Sequence, residues 1–170
     1  SGNKLVSCYR QNREDDWRWF EAYLTYDNSI LPESLLYAWR ITKNAAYREI
    51  AEESFNFLLE KTFTEGQIRV ISNQGWLQKA SGRKEYGEQP IDIAGTVTAL
   101  STFYSVFGRE EYSAKQRIAF NWFLGNNHLN QIIYNPATGG CYDGLEEHNI
   151  NLNQGAESTV SYLLARLCMA

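Results

Sequence analysis

Apolar residues recur along most of this chain at the three-to-four-residue spacing of a helix face. Over residues 31–43 they fall at Leu31, Leu35, Leu36, Trp39 and Ile41, with Asn28-Ser29 as a cap and Pro32 in a first turn that tolerates proline. A second helix is predicted over Ala45–Thr62, carrying Tyr47, Ile50, Ala51, Phe55, Leu58 and Leu59. A third follows Pro90 and runs to about Phe107, where Gly108 is a natural stop. It is apolar almost all round, a sign of burial on several sides. A fourth spans 110–124, a fifth runs from near Ala156 to the end, and 13–24 is predicted as a further N-terminal helix. The loops after the second and fourth helices hold about twenty-five and about thirty residues, lengths that usually mark function or short structure of their own. Residues 68–72 and 132–134 read as short strands within them.

The pattern repeats. Tyr47, Phe55, Asn56, Phe57 and Leu59 align with Tyr112, Phe120, Asn121, Trp122 and Leu124 at a constant offset, and Gln89, Asp92 and Thr96 fall on Gln154, Glu157 and Ser161 at the same offset. The first helix enters with a small shift, Leu31-Pro32 matching Gln89-Pro90. The unit is a helical hairpin and a long loop, the third hairpin being present only as its first helix. One hairpin cannot bury its own face, so stacked neighbours must build the core. The expected fold is all-α, antiparallel hairpins forming a partial (α/α) toroid, with short β-ribbon allowed in the loops.

Each odd-numbered helix is entered through a polar cluster: Thr25-Tyr26-Asp27-Asn28, Tyr86-Gly87-Glu88-Gln89, and Asn151-Leu152-Asn153-Gln154-Gly155 with Glu157. Parallel stacking would bring these entrances, with Asp27, Glu88, Asp92 and Glu157, to one concave face holding the main pocket. Paired carboxylates among amides and indoles suit sugar chemistry, one acid protonating a leaving oxygen while another activates water or attacks. If the chain is an enzyme, Glu157 and Asp27 are the candidate acid and base, with Glu88 in reserve. Asn28 and Gln154 are their amide neighbours, and Tyr26, Gln89, Asp143 and Asn153 complete the candidate lining. The same acidic and amide residues are also favoured at helix starts simply as caps. Trp76 and Tyr142 are the candidate stacking platform, and Trp17 and Trp19 are further candidates, with core filling the competing role for all four. Trp39, Phe55, Phe57, Phe120 and Trp122 lie at helical spacing and read as core. The run Thr138-Gly139-Gly140-Cys141-Tyr142-Asp143-Gly144 reads as a sharp turn that sets Tyr142 and Asp143 at the rim.

Composition narrows the field. A chain of 170 residues forms one domain, 1–170, and buries about 70% of its unfolded surface. The net charge is −4 and the Lys and Arg residues are scattered, so no basic stripe exists to hold a phosphate backbone, and nucleic acid is excluded as a partner. No apolar run approaches the eighteen or so residues of a membrane span. Ser1-Gly2 reads as a cloning remnant. Localisation stays open, with the cytoplasm favoured. Cys8, Cys141 and Cys168 lack metal or disulfide spacing and read as reduced thiols, and His128 and His148 as solvent-facing or capping. No metal or other cofactor is expected, and no GxSxG elbow or phosphate-loop motif occurs.

Several longer motifs carry a resemblance: Asp16-Trp17-Arg18-Trp19-Phe20-Glu21, Leu24-Thr25-Tyr26-Asp27-Asn28, Asn73-Gln74-Gly75-Trp76, Glu88-Gln89-Pro90-Ile91, Trp122-Phe123-Leu124-Gly125-Asn126-Asn127, Thr138 to Leu145, and Asn151 to Thr159. From about Asp15 onward the chain resembles bacterial helical domains found C-terminal to retaining, nucleotide-sugar-using glycosyltransferase modules, or beside glycan genes as separate proteins. Such domains look like relatives of the six-hairpin (α/α) glycosidase toroids. The chain departs from the family at Gly87, where an aspartate is usual. Six hairpins at this spacing would need about 390 residues, so it resembles the C-terminal half of the family domain. The resemblance implies a carbohydrate ligand, an upstream helical half and an upstream glycosyltransferase module, without handing over a reaction. Three functions stay open: a carbohydrate-active enzyme, a glycan-binding accessory domain, and a helical protein-interaction scaffold. An enzyme needs aromatics and an acid of raised proton affinity, a binding domain needs the aromatics alone, and a scaffold needs an exposed apolar surface.

Overall fold

A computed structural model describes residues 2–170. The chain opens with α1 (Gly2–Asn12), a helix the periodicity did not reveal, which buries Val6 and Tyr9. Residues 13–24, expected to be helical, instead form turns ending in β1 (Tyr23–Leu24). The Asn12 amide closes α1 by donating to the Cys8 carbonyl at 2.9 Å and the Phe20 carbonyl at 2.8 Å, and the Trp17 indole donates to the Glu21 carbonyl at 2.7 Å. These bonds let Trp17 and Trp19 turn inward, where both meet Phe57. Tertiary packing of three aromatics outweighs the local helical spacing.

Next come α2 (Ile30–Thr42) and α3 (Ala45–Thr62), a tight hairpin in which the Asn44 side chain accepts the Ala46 N–H at 3.1 Å as an N-cap. Then β2 (Phe63–Thr64) and β3 (Gln67–Ile68) form a ribbon across Glu65 and Gly66, both at positive φ, as a two-residue hairpin turn requires. The strand expected over 68–72 stops at Ile68. Val70 and Ile71 still reach the core, as irregular chain. Further along the loop, β4 (Leu77–Gln78) pairs with β1 and so fastens it beside the approach to α2.

The second hairpin is α4 (Pro90–Phe107) and α5 (Glu110–Asn121), turned at Gly108 with φ 65. The last turn tightens into a 3-10 helix over Trp122–Leu124, so the fourth predicted helix is two elements. In the next loop Tyr134 makes a single bridge to Cys141, in place of the strand expected at 132–134, and β5 (Gly144–Leu145) pairs with β6 (Ile150–Asn151). Last comes α6 (Ala156–Leu167).

Two layers result. α4 packs against α5, α6 and α2, while α2 packs against α3, and α1 lies over both members of that first hairpin. The main chain of Asp27 bonds to Asp92, and Tyr37 to Thr102, each across 65 residues, so α2 and α4 run parallel at one constant offset. The shift inferred from Leu31-Pro32 is therefore not needed. The core between the layers is aromatic: Phe55, Phe103 and Tyr112 form one cluster, and Trp122, Phe123 and Tyr162 another. Trp39 is only half-buried, with Lys43 and Arg48 over its ring. All three cysteines are free. Among the described residues no helix is long and apolar enough to cross a membrane.

Candidate functional site

Asp27, Asp92 and Glu157 stand 65 residues apart in succession, at the starts of helices α2, α4 and α6. Asp27 sits in the left-handed region at φ 45, which aspartate tolerates better than most residues. That turn aims its N–H at Asp92 Oδ1, 2.7 Å away. Its carboxylate lies over Gly95 on α4: a Cβ there would come within 2.5 Å of Asp27 Oδ1 and 2.9 Å of Ser29 Oγ. Burial, and next the negative charge of Glu157, push the Asp27 carboxyl above the usual carboxylate range. Glu157 itself is exposed in the first turn of α6.

Two buried carboxyls lie one helical turn apart and are treated oppositely. Glu88 Oε1 accepts from Arg69 Nε at 2.8 Å and Oε2 from the Trp122 indole at 2.7 Å, while its main chain bridges to Leu145 in both directions. Burial raises its proton affinity and prevails over those two donors, which oppose it. With a donor on each oxygen the group accepts from both sides and knits the two long loops together, and its side chain is 0% exposed. Among the described residues the Asp92 carboxyl has only the Asp27 N–H. Its Oδ2 has no partner, and burial, followed by the charges of Asp27, Glu88 and Glu157, pushes it up to about 8.

Beside Glu157 a polar cleft of about 410 Å³ is lined by Asn73, Gln89, Asp143, Glu146 and Asn151 among others. Asp143 Oδ1 accepts the Gly155 N–H at 2.8 Å and its N–H donates to the carbonyls of Asn151 and Asn153, so this side chain shapes the entry to α6. Gln154 Oε1 accepts from Thr138 Oγ1 at 2.6 Å over Gly140, where any Cβ would sit 2.2 Å from that oxygen. Gln89 precedes α4 with no capping bond from its side chain. Asp27 opens on an adjoining groove of about 260 Å³, with Glu33 from α2, Thr98 from α4 and Ser161 from α6.

The remaining candidates divide. Tyr26, 57% exposed, and half-buried Trp76 meet with ring centroids 6.0 Å apart, an aromatic pair that adjoins Asp27 in the chain through Tyr26 and lines neither the polar cleft nor the Asp27 groove. Tyr142 is half-buried against the core. Asn28 is buried, both amide atoms closing the loop on Thr25, and Asn153 is exposed. Trp17 and Trp19 are buried at 4% and 0% exposure and offer no ring to a ligand. A larger hollow than either cleft, about 640 Å³, lies instead at the far end of α6, among Phe120, Leu163, Leu167 and Met169. That hollow is apolar and remote from the carboxylates. Gly87 adopts φ 91 with Asn73 Oδ1 only 2.4 Å from where a Cβ would be, so glycine suits this backbone and an aspartate would not.

The sequence places Asp92 on this face without giving it a role and offers Ser29 only as a cap, and nothing in it points to Gly95. The constant 65-residue spacing that joins Asp27, Asp92 and Glu157 was the signal for the first. Among the described residues no group of three or more His, Cys, Asp or Glu side chains could hold a metal ion. No protein-family model matches the chain, and no curated protein matches it.

Proposed function

We propose that the face where α2, α4 and α6 begin is a carbohydrate site, and that the chain is a glycosidase-like helical domain. The observation that carries this reading is the meeting of three carboxyl groups from three successive helix starts, close enough that Glu157 raises the proton affinity of Asp27 and both raise that of Asp92. Asp27 has the half-buried setting of a general acid, and exposed Glu157 that of the base or nucleophile. Gln89 and Asp143 supply polar partners for sugar hydroxyls, and Tyr26 with Trp76 an apolar surface for a sugar ring. In the same reading α2, α4 and α6 are the inner helices of an arc of an (α/α) toroid, with α3 and α5 outside. An upstream helical half would continue the ring, and a glycosyltransferase module is the proposed neighbour.

A glycan array and a hydrolysis screen on the wild type, Asp27→Asn and Glu157→Gln test it. Turnover by the wild type, lost in both variants with binding retained, is expected. Binding without any turnover would leave the pair of Tyr26 and Trp76 serving an accessory glycan-binding domain. Neither binding nor turnover across the array would overturn the carbohydrate reading.

A further inference from the structure

The start of α4 carries Glu88 and Asp92, two buried carboxyls with opposite surroundings. Glu88 meets a guanidinium and an indole. Asp92 meets no cation among the described residues, although it is 5% exposed, and the groups behind it are Leu58 and Thr62 from α3 with Val70 and Ile71 from the following loop. The charged groups that bear on it are Asp27 from the approach to α2, Glu157 from α6 and Glu88 from its own approach, all acidic. An unpaired carboxylate in such a place costs far more than a carboxylic acid. The one donor it does have is the N–H of Asp27, held in the left-handed conformation that makes this bond and presses the Asp27 carboxylate against Gly95.

We propose that Asp92 is a positioning residue: its neutral carboxyl grips the Asp27 main chain, fixing where the Asp27 carboxylate stands while adding no charge of its own to the site. The consequence for a ligand rests on the carbohydrate reading above, but the grip and the charge state do not. A neutral acceptor at position 92 leaves two ionisable groups, Asp27 and Glu157, facing the ligand, with a third that becomes charged only in mildly alkaline solution. Ionisation there would strengthen the bond to the Asp27 N–H and set a second negative charge beside the Asp27 carboxylate.

The test needs no ligand. In the isotopically labelled full chain, the Asp27 amide proton is followed by NMR from pH 5.5 to 9.5. A downfield step in the alkaline half of that range is expected in the wild type, and its absence in Asp92→Asn, which keeps an oxygen acceptor but cannot ionise. Asp92→Ala removes the acceptor, and the Asp27 amide should then exchange with solvent at least tenfold faster, with a shifted titration of the Asp27 carboxyl. A flat wild-type profile, or the same step in Asp92→Asn, would overturn the proposal. If Asp92→Ala does not fold, the asparagine variant decides it alone. Failure of the glycan screen with the amide step present would remove the carbohydrate reading and leave this one standing.

Discussion

The N–H of Asp27 donates to Asp92 Oδ1 at 2.7 Å, a bond between equivalent positions of two successive hairpins. It joins α2 to α4 at their starts, as Tyr37 and Thr102 join them further along. A left-handed residue costs about 1–2 kcal/mol in general and less for aspartate, which a net hydrogen bond of about 1 kcal/mol offsets. The geometry of the candidate acid is thus set by a neighbouring repeat as well as by its own loop, which Asn28 closes on Thr25.

Asp27→Asn should fold and melt at or above the wild-type temperature at pH 7. Asparagine suits φ 45 as well as aspartate does, the N–H bond to Asp92 is kept, and the half-buried charge facing Glu157 is gone. Asp27→Ala retains the backbone bond but places a Cβ-only residue in the left-handed region, and should lose about 1 kcal/mol. Thermal melts of the two variants check this; an asparagine variant less stable than the alanine one would contradict it.

Gly95→Ala sets two effects against each other. Alanine in a helix interior gains about 1 kcal/mol over glycine, whereas overpacking costs about 1–3 kcal/mol. The added methyl would meet both Asp27 Oδ1 and Ser29 Oγ; the Asp27 carboxylate can swing aside while its N–H stays on Asp92, but Ser29 is buried and has less room to give. The expected result is a net loss of about 1 kcal/mol in urea unfolding together with a displaced Asp27 amide resonance. A variant more stable than wild type, its Asp27 resonance unmoved, would show the contact to be soft.

Tyr26→Ala separates recognition from stability. The ring is 57% exposed and its main contact is Trp76, so stability should change by less than about 0.5 kcal/mol. Loss of a stacking surface worth about 1.4 kcal/mol would weaken glycan binding about tenfold. Unchanged binding would move the ligand off this pair.

The legible part of this chain is the part where one physical rule acts alone. Over α2 to α5 the apolar spacing, Pro90 and Gly108 all point to the same elements, whereas the expected Asn28-Ser29 cap is not made, since Ser29 gives α2 no side-chain bond and Asn28 closes on Thr25. Residues 13–24 misled because Trp17, Phe20 and Leu24 also fit a helix face, and only the remote Phe57 and the Asn12 amide explain why they turn inward instead. α1 was missed for the opposite reason, since Leu5, Val6 and Tyr9 make a thin stripe among polar residues. At the candidate site the acidic residues could be listed but not sorted. Glu88 and Asp92 differ through Arg69 and Trp122, which reach Glu88 from a distant loop and a distant turn.

Breaking the Glu88 pair should be among the most damaging changes available. Glu88→Gln keeps an oxygen for the Trp122 indole but leaves Arg69, only 19% exposed, without its anion. Arg69→Met leaves the carboxylate buried beside the indole alone. Each should cost on the order of 3 kcal/mol, and the double variant Arg69→Met with Glu88→Gln less than the sum. Urea unfolding of the four proteins closes the cycle; additive losses would mean that the two side chains act independently.

The pH dependence of stability follows from Asp92. Its native proton affinity is raised to about 8 from the ordinary 3.8, so between those values the unfolded chain gives up a proton that the folded chain keeps. Stability must therefore fall as pH rises through that window, by at most about 1.4 kcal/mol per pH unit from this group, and level off once the native carboxyl also ionises. Other carboxylates titrate at the lower end, so the clean quantity is the difference between Asp92→Asn and wild type. Asparagine has no proton to lose and keeps the acceptor for the Asp27 N–H. The variant's advantage in urea midpoint should grow steadily from pH 4.5 to near 8 and then stay constant. Were Asp92 ionised in the native state throughout, the advantage would be flat across the whole range, and the neutral carboxyl at the start of α4 would have to be abandoned.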